Sequence, residues 1–133
     1  MRIVDLMQGP VTTVGRDATV GEAIITLADG HISAVPVVDG LGRMIGVLST
    51  TDVLEAEAAA SDHAAREQLF NDTRVEELMT TRPLTIAPDA DVREAARQML
   101  YGDVHRLFVE EEGRLVGVVS RTDVVRAFAI QRA

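Results

Sequence analysis

The sequence predicts an α/β (α+β) protein made of two β-α-β-β-α repeats packed about a pseudo-two-fold axis. Three observations predict it. The phrase Gly46-Val47-Leu48-Ser49-Thr50-Thr51-Asp52-Val53 returns as Gly117-Val118-Val119-Ser120-Arg121-Thr122-Asp123-Val124, and each copy reads as an apolar strand that stops at a serine and turns into a helix. The runs Arg43 to Leu48 and Arg114 to Val119 are nearly continuous in apolar residues, as in strands covered on both faces. The segments that precede each phrase also recur in the same order, and neither half is large enough to bury a core alone, so the two are expected to pack together.

In chain order, Ile3 to Met7 is a short helical lead and Val75 to Met79 is its echo; Gly9-Pro10 and Arg82-Pro83 break the two leads. Short extended stretches follow, Val11 to Val14 and Leu84 to Ile86. Thr19 with Glu22, and Asp91 with Glu94, have the spacing of a helix-opening capping box. The helices beyond carry apolar residues at helical spacing, Val20, Ala23, Ile24 and Leu27 in one and Val92, Ala95, Ala96, Met99 and Leu100 in the other. Gly30 and Gly102 fall where a C-terminal glycine cap belongs. Ser33 to Val38 and His105 to Val109 read as strands, joined by Asp39-Gly40-Leu41-Gly42 and by Glu110-Glu111-Glu112-Gly113 to the apolar strands of the repeated phrase. Glu55 to Thr73 reads as a helical connector that continues the first closing helix, breaks near Ser61-Asp62 and resumes to about Phe70. The expected organisation is repeat 1 over residues 1–60, a connector over 61–74 and repeat 2 over 75–133.

Composition bounds the function. The 133 residues are 47% hydrophobic and 26% charged, normal for a globular protein. No apolar run approaches the length of a membrane span and no signal peptide opens the chain, so the expectation is a cytoplasmic protein with no membrane partner. A net charge of −8 argues against nucleic-acid binding, and three Phe and one Tyr are too few for a base-stacking platform. With no cysteine there is neither a thiolate nucleophile nor a zinc-type cysteine cluster. His31 and His63 have no partners at ligand spacing, so no metal site is expected. No Ser/His/Asp or paired-carboxylate set stands out, so no catalytic residue is assigned and the protein is expected not to be an enzyme.

The chemistry concentrates at the two strand-to-helix junctions. The first turn of a helix leaves amide donors without partners, a common place to hold an anion or a phosphate. Asp52 and Asp123 can each accept hydrogen bonds from both hydroxyls of a ribose, and Ser49, Thr51, Ser120 and Thr122 can bond a phosphate beside the free amides. A plainer reading stands beside this one: Ser49-x-x-Asp52 and Ser120-x-x-Asp123 are capping motifs that serve stability alone. His105 and Arg106 offer donors suited to phosphate, or else form a surface strand start with Arg106 reaching solvent or Glu110. Arg121 puts a cation at a helix start, where it is mildly unfavourable; this points to an anionic neighbour or to a side chain turned away.

These motifs together resemble a tandem pair of CBS domains, a Bateman module, over nearly the whole chain from Ile3 to Ala127. The features that match are the strand-Gly-hydrophobic-Ser-x-x-Asp element, the Leu-Met lead, the capped middle helix and Val35-Pro36-Val37-Val38-Asp39. The resemblance implies a non-enzymatic regulatory module that binds an adenosyl ligand (AMP, ADP, ATP or S-adenosylmethionine) in the cleft between the repeats. It implies ribose binding by Asp52 and Asp123, hydroxyl contacts from Ser49, Thr51, Ser120 and Thr122, and adenine-flanking strands at Ser33, Ala34 and Val35 and at His105, Arg106 and Leu107. His105-Arg106-Leu107 is also similar to the His-Arg-Leu that meets nucleotide phosphates in the gamma regulatory subunit of AMP-activated protein kinase. Phe108 stands where the pattern has a proline, whereas Pro36 keeps it. The candidate set is completed by Thr13, Pro36, Thr85 and Arg121. The implied partners are an adenine nucleotide, a second copy in a homodimer of four repeats in a disk, and an effector protein. The alternative is a structural dimerisation or protein-interaction module whose sites are empty.

Overall fold

The computed structural model describes residues 1–81 and 83–132; Arg82, expected to help break the second lead, lies outside the described residues. The architecture is mixed α+β, with six helices and two small sheets among the described residues. In order, a 3-10 turn at Ile3–Asp5 precedes β1 (Val14–Gly15), α1 (Val20–Gly30), β2 (Ala34–Val38), β3 (Met44–Ser49), α2 (Thr50–Ala59) and α3 (His63–Asn71). Then come α4 (Val75–Leu78), β4 (Thr80–Thr81), β5 (Thr85–Ile86), α5 (Val92–Gly102), β6 (Arg106–Glu111), β7 (Arg114–Ser120) and α6 (Arg121–Arg132). The expected connector break falls between Ala59 and His63, where the Asp62 carboxylate accepts from the Ala65 N–H at 2.8 Å and starts α3.

The chain folds into two compact units, Thr12–Pro83 and Met1–Val11 with Leu84–Ala133. The first holds the sheet β1-β2-β3-β4, in which β1 is parallel to β2 and the other pairs are antiparallel. Its core is Val14, Ala23, Leu27, Val35, Val37, Leu48 and Val75. The second holds β5-β6-β7, again with one parallel pair and one antiparallel pair. Its core includes Ile3, Ile86, Val92, Met99, Leu107, Val109, Val119 and Val124.

Ile3 and Val75 show that sequence repeats and compact units are different partitions of this chain. Each lead is built into the unit that carries the other repeat's sheet. Val75 N–H donates to Ala18 O and Val20 N–H to Thr73 O, both at 2.8 Å, so the second lead covers the opening amides of α1. In the other unit Ile3 N–H donates to Ala90 O at 2.9 Å and Val92 N–H to Met1 O at 3.0 Å, so the first lead does the same for α5. Both leads carry a fully buried β-branched residue that anchors them in the core.

Two local expectations need correction. The capping boxes of α1 and α5 form only from the N-cap side: Thr19 Oγ1 accepts from the Glu22 N–H, and Asp91 Oδ1 from the Arg93 N–H. Glu94 turns instead to Arg97, whose Nη2 lies 2.8 Å away, because a charged donor outcompetes a backbone amide. The left-handed residues that end α1 and α5 are His31 (φ 51°) and Asp103 (φ 50°), each one position after the glycine. A Cβ at Gly102 would meet the far end of the Leu84 side chain.

Candidate functional site

Each unit assembles one set of the sequence-predicted residues. In the unit Thr12–Pro83, Ala34 is the register partner of Ser49, and Thr50 N–H donates to Ser33 O at 2.9 Å, so the start of β2 lies against the β3-to-α2 junction. In the other unit Arg106 pairs with Ser120, and Arg121 N–H donates to His105 O at 3.0 Å, which repeats the arrangement at the β7-to-α6 junction. Thr85 lies in β5 opposite Phe108; Thr13 immediately precedes β1, which pairs with β2 at Val37.

The junctions are held by reciprocal bonds. Ser49 N–H donates to Asp52 Oδ2 at 2.9 Å while Asp52 N–H donates to Ser49 Oγ at 3.1 Å. Ser120 N–H donates to Asp123 Oδ2 and Asp123 N–H to Ser120 Oγ at the same two distances. Both aspartates therefore do cap their helices, as the plainer reading of the motif requires. Capping uses one oxygen of each carboxylate, and a carboxylate has about four lone-pair sites, so acceptor capacity remains for a ligand. Among the described residues no backbone carbonyl receives the N–H of Thr51 or Thr122, and both residues are exposed. Each junction thus presents an open helix amide, a serine hydroxyl that can still donate, and a fixed carboxylate.

The remaining candidates divide by exposure. Ser33, Thr13, Thr51, Thr122, His105 and Arg106 are exposed, and Ser49, Ser120, Ala34, Thr85 and Asp52 are half-buried. Asp123 is buried, with 7% of its surface exposed. Val35 and Leu107 are fully buried with their side chains in the two cores, and Pro36 and Phe108 are buried as well. Arg106 makes no side-chain hydrogen bond or ion pair among the described residues. The Arg121 guanidinium lies at the end of α5: Nε donates to Val104 O at 2.9 Å, Nη2 donates to Met99 O at 3.3 Å, and Nη2 lies 3.6 Å from Asp103 Oδ1. Its anionic neighbours are the carbonyl end of a helix and an exposed carboxylate, a favourable place for a cation.

Residues that sequence reasoning missed are Thr80, Gln8 and Arg126. Thr80 Oγ1 donates to Asp52 Oδ1 at 3.4 Å, Gln8 Nε2 donates to Asp123 Oδ1 at 3.3 Å, and Arg126 Nη1 lies 3.7 Å from that same oxygen. Thr80 follows Met79 as Gln8 follows Met7, so the echo of the leads held the signal; what it lacked was the knowledge that each lead crosses to the other repeat's sheet.

A family model described as CBS domain matches residues 3–59 and 75–130. The chain belongs to the CBS domain family. The CBS pair is 26% identical to CBSX2 solved in complex with AMP, with a TM-score of 0.82 over 99% of this chain and 98% of that one. It is 25% identical to the CBS domain pair of protein MJ0100 in complex with 5-methylthioadenosine and S-adenosyl-L-methionine, with a TM-score of 0.80 and 98% of each chain covered. Among curated proteins, an uncharacterized protein of Methanocaldococcus jannaschii is 26% identical over 96% of this chain and 90% of its own length. Other relatives are longer: the chain spans 25% and 44% of two further proteins from that organism. No helix among the described residues is long and apolar enough to cross a membrane.

Proposed function

We propose that this CBS pair is a regulatory module that binds an adenosyl ligand (AMP, ADP, ATP or S-adenosylmethionine) and signals by conformational change to an effector protein. The observation that carries the reading is the pair of junctions at Ser49–Asp52 and Ser120–Asp123. Each fixes a carboxylate by one oxygen beside an open helix amide and leaves acceptor capacity for ribose hydroxyls. Asp52 and Asp123 are the ribose residues of this reading. Ser49, Thr51, Ser120 and Thr122 are the hydroxyl donors, and exposed His105 and Arg106 are the phosphate contacts. The similar structures that hold AMP, or methylthioadenosine and S-adenosylmethionine, support the ligand class. Ligand binding acts on the module only through a difference in affinity between its states.

A second reading, an interaction module with empty sites that works as a homodimer, draws support from the apolar helix surfaces. Leu54 is 68% exposed on α2, and Leu100 and Val125 are 75% and 66% exposed on α5 and α6. A shallow apolar depression of about 290 Å³ lies beside Leu54, lined also by Ile24, Leu27, Ala28, Ile32 and Val53. A second copy is the occupant this reading requires.

The test is a thermal melt with AMP, ADP, ATP and S-adenosylmethionine, with GTP as control. A ligand at 100 times its dissociation constant adds about 2.7 kcal/mol, a shift of several degrees for a chain of this size. A dose-dependent shift with adenosyl compounds alone is the expected result. No shift at millimolar concentration, together with a dimer by light scattering, would replace the first reading with the second.

A further inference from the structure

Both ribose candidates have their second oxygen engaged by a side chain from the other sequence repeat, and the two engagements differ. At Asp52 the outer oxygen meets, among the described residues, only the Thr80 hydroxyl, at 3.4 Å, and the aspartate is half-buried. At Asp123 the outer oxygen faces both the Gln8 amide, at 3.3 Å, and the Arg126 guanidinium, at 3.7 Å, and the aspartate is 7% exposed. Gln8 is held in place. Its N–H donates to Val118 O at 2.9 Å and its carbonyl accepts from Val118 N–H at 3.0 Å.

We infer that the two sites of the CBS pair are unequal, that Asp52 takes the first ligand, and that Gln8 is a positioning residue that holds Asp123 against the second. The inference rests on the nucleotide reading above. A threonine hydroxyl donates and accepts, so Thr80 can keep its bond to Asp52 and accept another from a ribose hydroxyl. The Gln8 NH₂ group and the Arg126 guanidinium only donate. A ribose hydroxyl arriving at Asp123 meets an oxygen that already accepts from Gln8, in a carboxylate only 7% exposed and with the Arg126 guanidinium 3.7 Å away, so it must share that oxygen with Gln8 or displace it. The long Gln8 bond is weak enough to be displaced at a cost in affinity. The segment Met1 to Gln8, which contains the first lead, is then the one whose hold on its unit changes when the second site fills.

The experiment is calorimetric titration of the full chain with AMP, and with S-adenosylmethionine as second probe, alongside melts of each variant without ligand. The wild type is expected to show two binding events separated by roughly ten-fold or more in affinity, about the effect of one hydrogen bond to a charged acceptor. Asp52→Asn, which keeps an acceptor for the Ser49 N–H, removes the tighter event, and Asp123→Asn removes the weaker one. Gln8→Thr strengthens the weaker event roughly ten-fold, and Thr80→Gln weakens the tighter one. Gln8→Glu, a similar shape that cannot donate when ionised, leaves the weaker event no stronger, because it sets a second carboxylate against Asp123. Loss of the tighter event in Asp123→Asn would overturn the inference and leave the nucleotide reading standing. So would two equal events in the wild type, or a Gln8→Thr protein of unchanged melting point with an unchanged second event. Absence of heat with either probe in every protein would overturn both.

Discussion

Adding one methyl group at Gly46 tests whether each lead packs on the sheet of the other repeat. An ideal Cβ on Gly46 would lie 2.5 Å from Met79 Sδ, 2.9 Å from Met79 Cγ and 2.9 Å from the backbone oxygen of Thr80. The thioether can swing away, because methionine is the most adaptable of core side chains. The carbonyl cannot, since Thr80 belongs to β4, which pairs with β3 at Val47. At Gly117 the three atoms nearest the corresponding Cβ all belong to the Met7 side chain, Sδ at 2.7 Å, Cγ at 3.0 Å and Cβ at 3.1 Å. Overpacking costs about 1–3 kcal/mol. Gly46→Ala is expected toward the upper end of that range, because the β3–β4 pairing must shift, and Gly117→Ala toward the lower end, where side-chain movement suffices. At roughly 3–6 °C per kcal/mol for a chain of this size, the two losses separate in a thermal melt. Combining Gly117→Ala with Met7→Ala should relieve most of the crowding and give strong non-additivity. Combining Gly46→Ala with Met79→Ala should relieve only part, since the carbonyl contact stays. Equal losses at the two glycines, or additive double variants at both, would refute the crossed-lead packing as their cause.

Two further outcomes follow from local contacts. Arg121→Met should destabilise the second unit by about 1–2 kcal/mol, because the carbonyls of Met99 and Val104 lose their guanidinium donors; a melt equal to wild type would show that water replaces them without cost. Asp39 accepts from the Arg43 and Leu41 N–H groups at 3.0 and 2.9 Å, which holds its carboxyl below the ordinary value of 3.8. Because the folded value is the lower one, the stabilisation is present above about pH 4 and is lost as pH falls through the folded value. Asp39→Asn is therefore expected to flatten the decline of melting temperature with acid in that window, and an unchanged slope would count against the turn as its source.

What could be read without coordinates was whatever repeats locally. The phrase at Ser49–Asp52 and Ser120–Asp123 needs only a strand, a turn and a helix within a few residues of each other, so its capping geometry was legible from spacing. The same holds for the break before α3, where Asp62 is the local cap, and for the strand character of the apolar runs that hold Val35, Val37, Leu107 and Val109. The CBS resemblance rested on those local signals in order, and the family match covers the same segments. Less legible were positions that depend on what packs against them. Glu94 chose Arg97 over its own helix start, and His31 and Asp103 took the left-handed turn that the preceding glycines were expected to take. Arg121 turned from its own helix start to the end of α5, a neighbour far away in the chain.

The leads are the clearest division between the two kinds of information. Sequence by itself determined that Ile3–Met7 and Val75–Met79 are copies, that each ends in methionine, and that Gly46 and Gly117 lack a side chain. Only the tertiary structure decided that each lead lies on the other repeat's sheet, seats its methionine over that glycine and brings Thr80 or Gln8 to an aspartate of the opposite repeat. The physical reason is that two similar sheets and two similar leads offer similar apolar surfaces to one another. A pattern repeated twice is satisfied equally well by either pairing, and the choice is made by chain connection and three-dimensional packing.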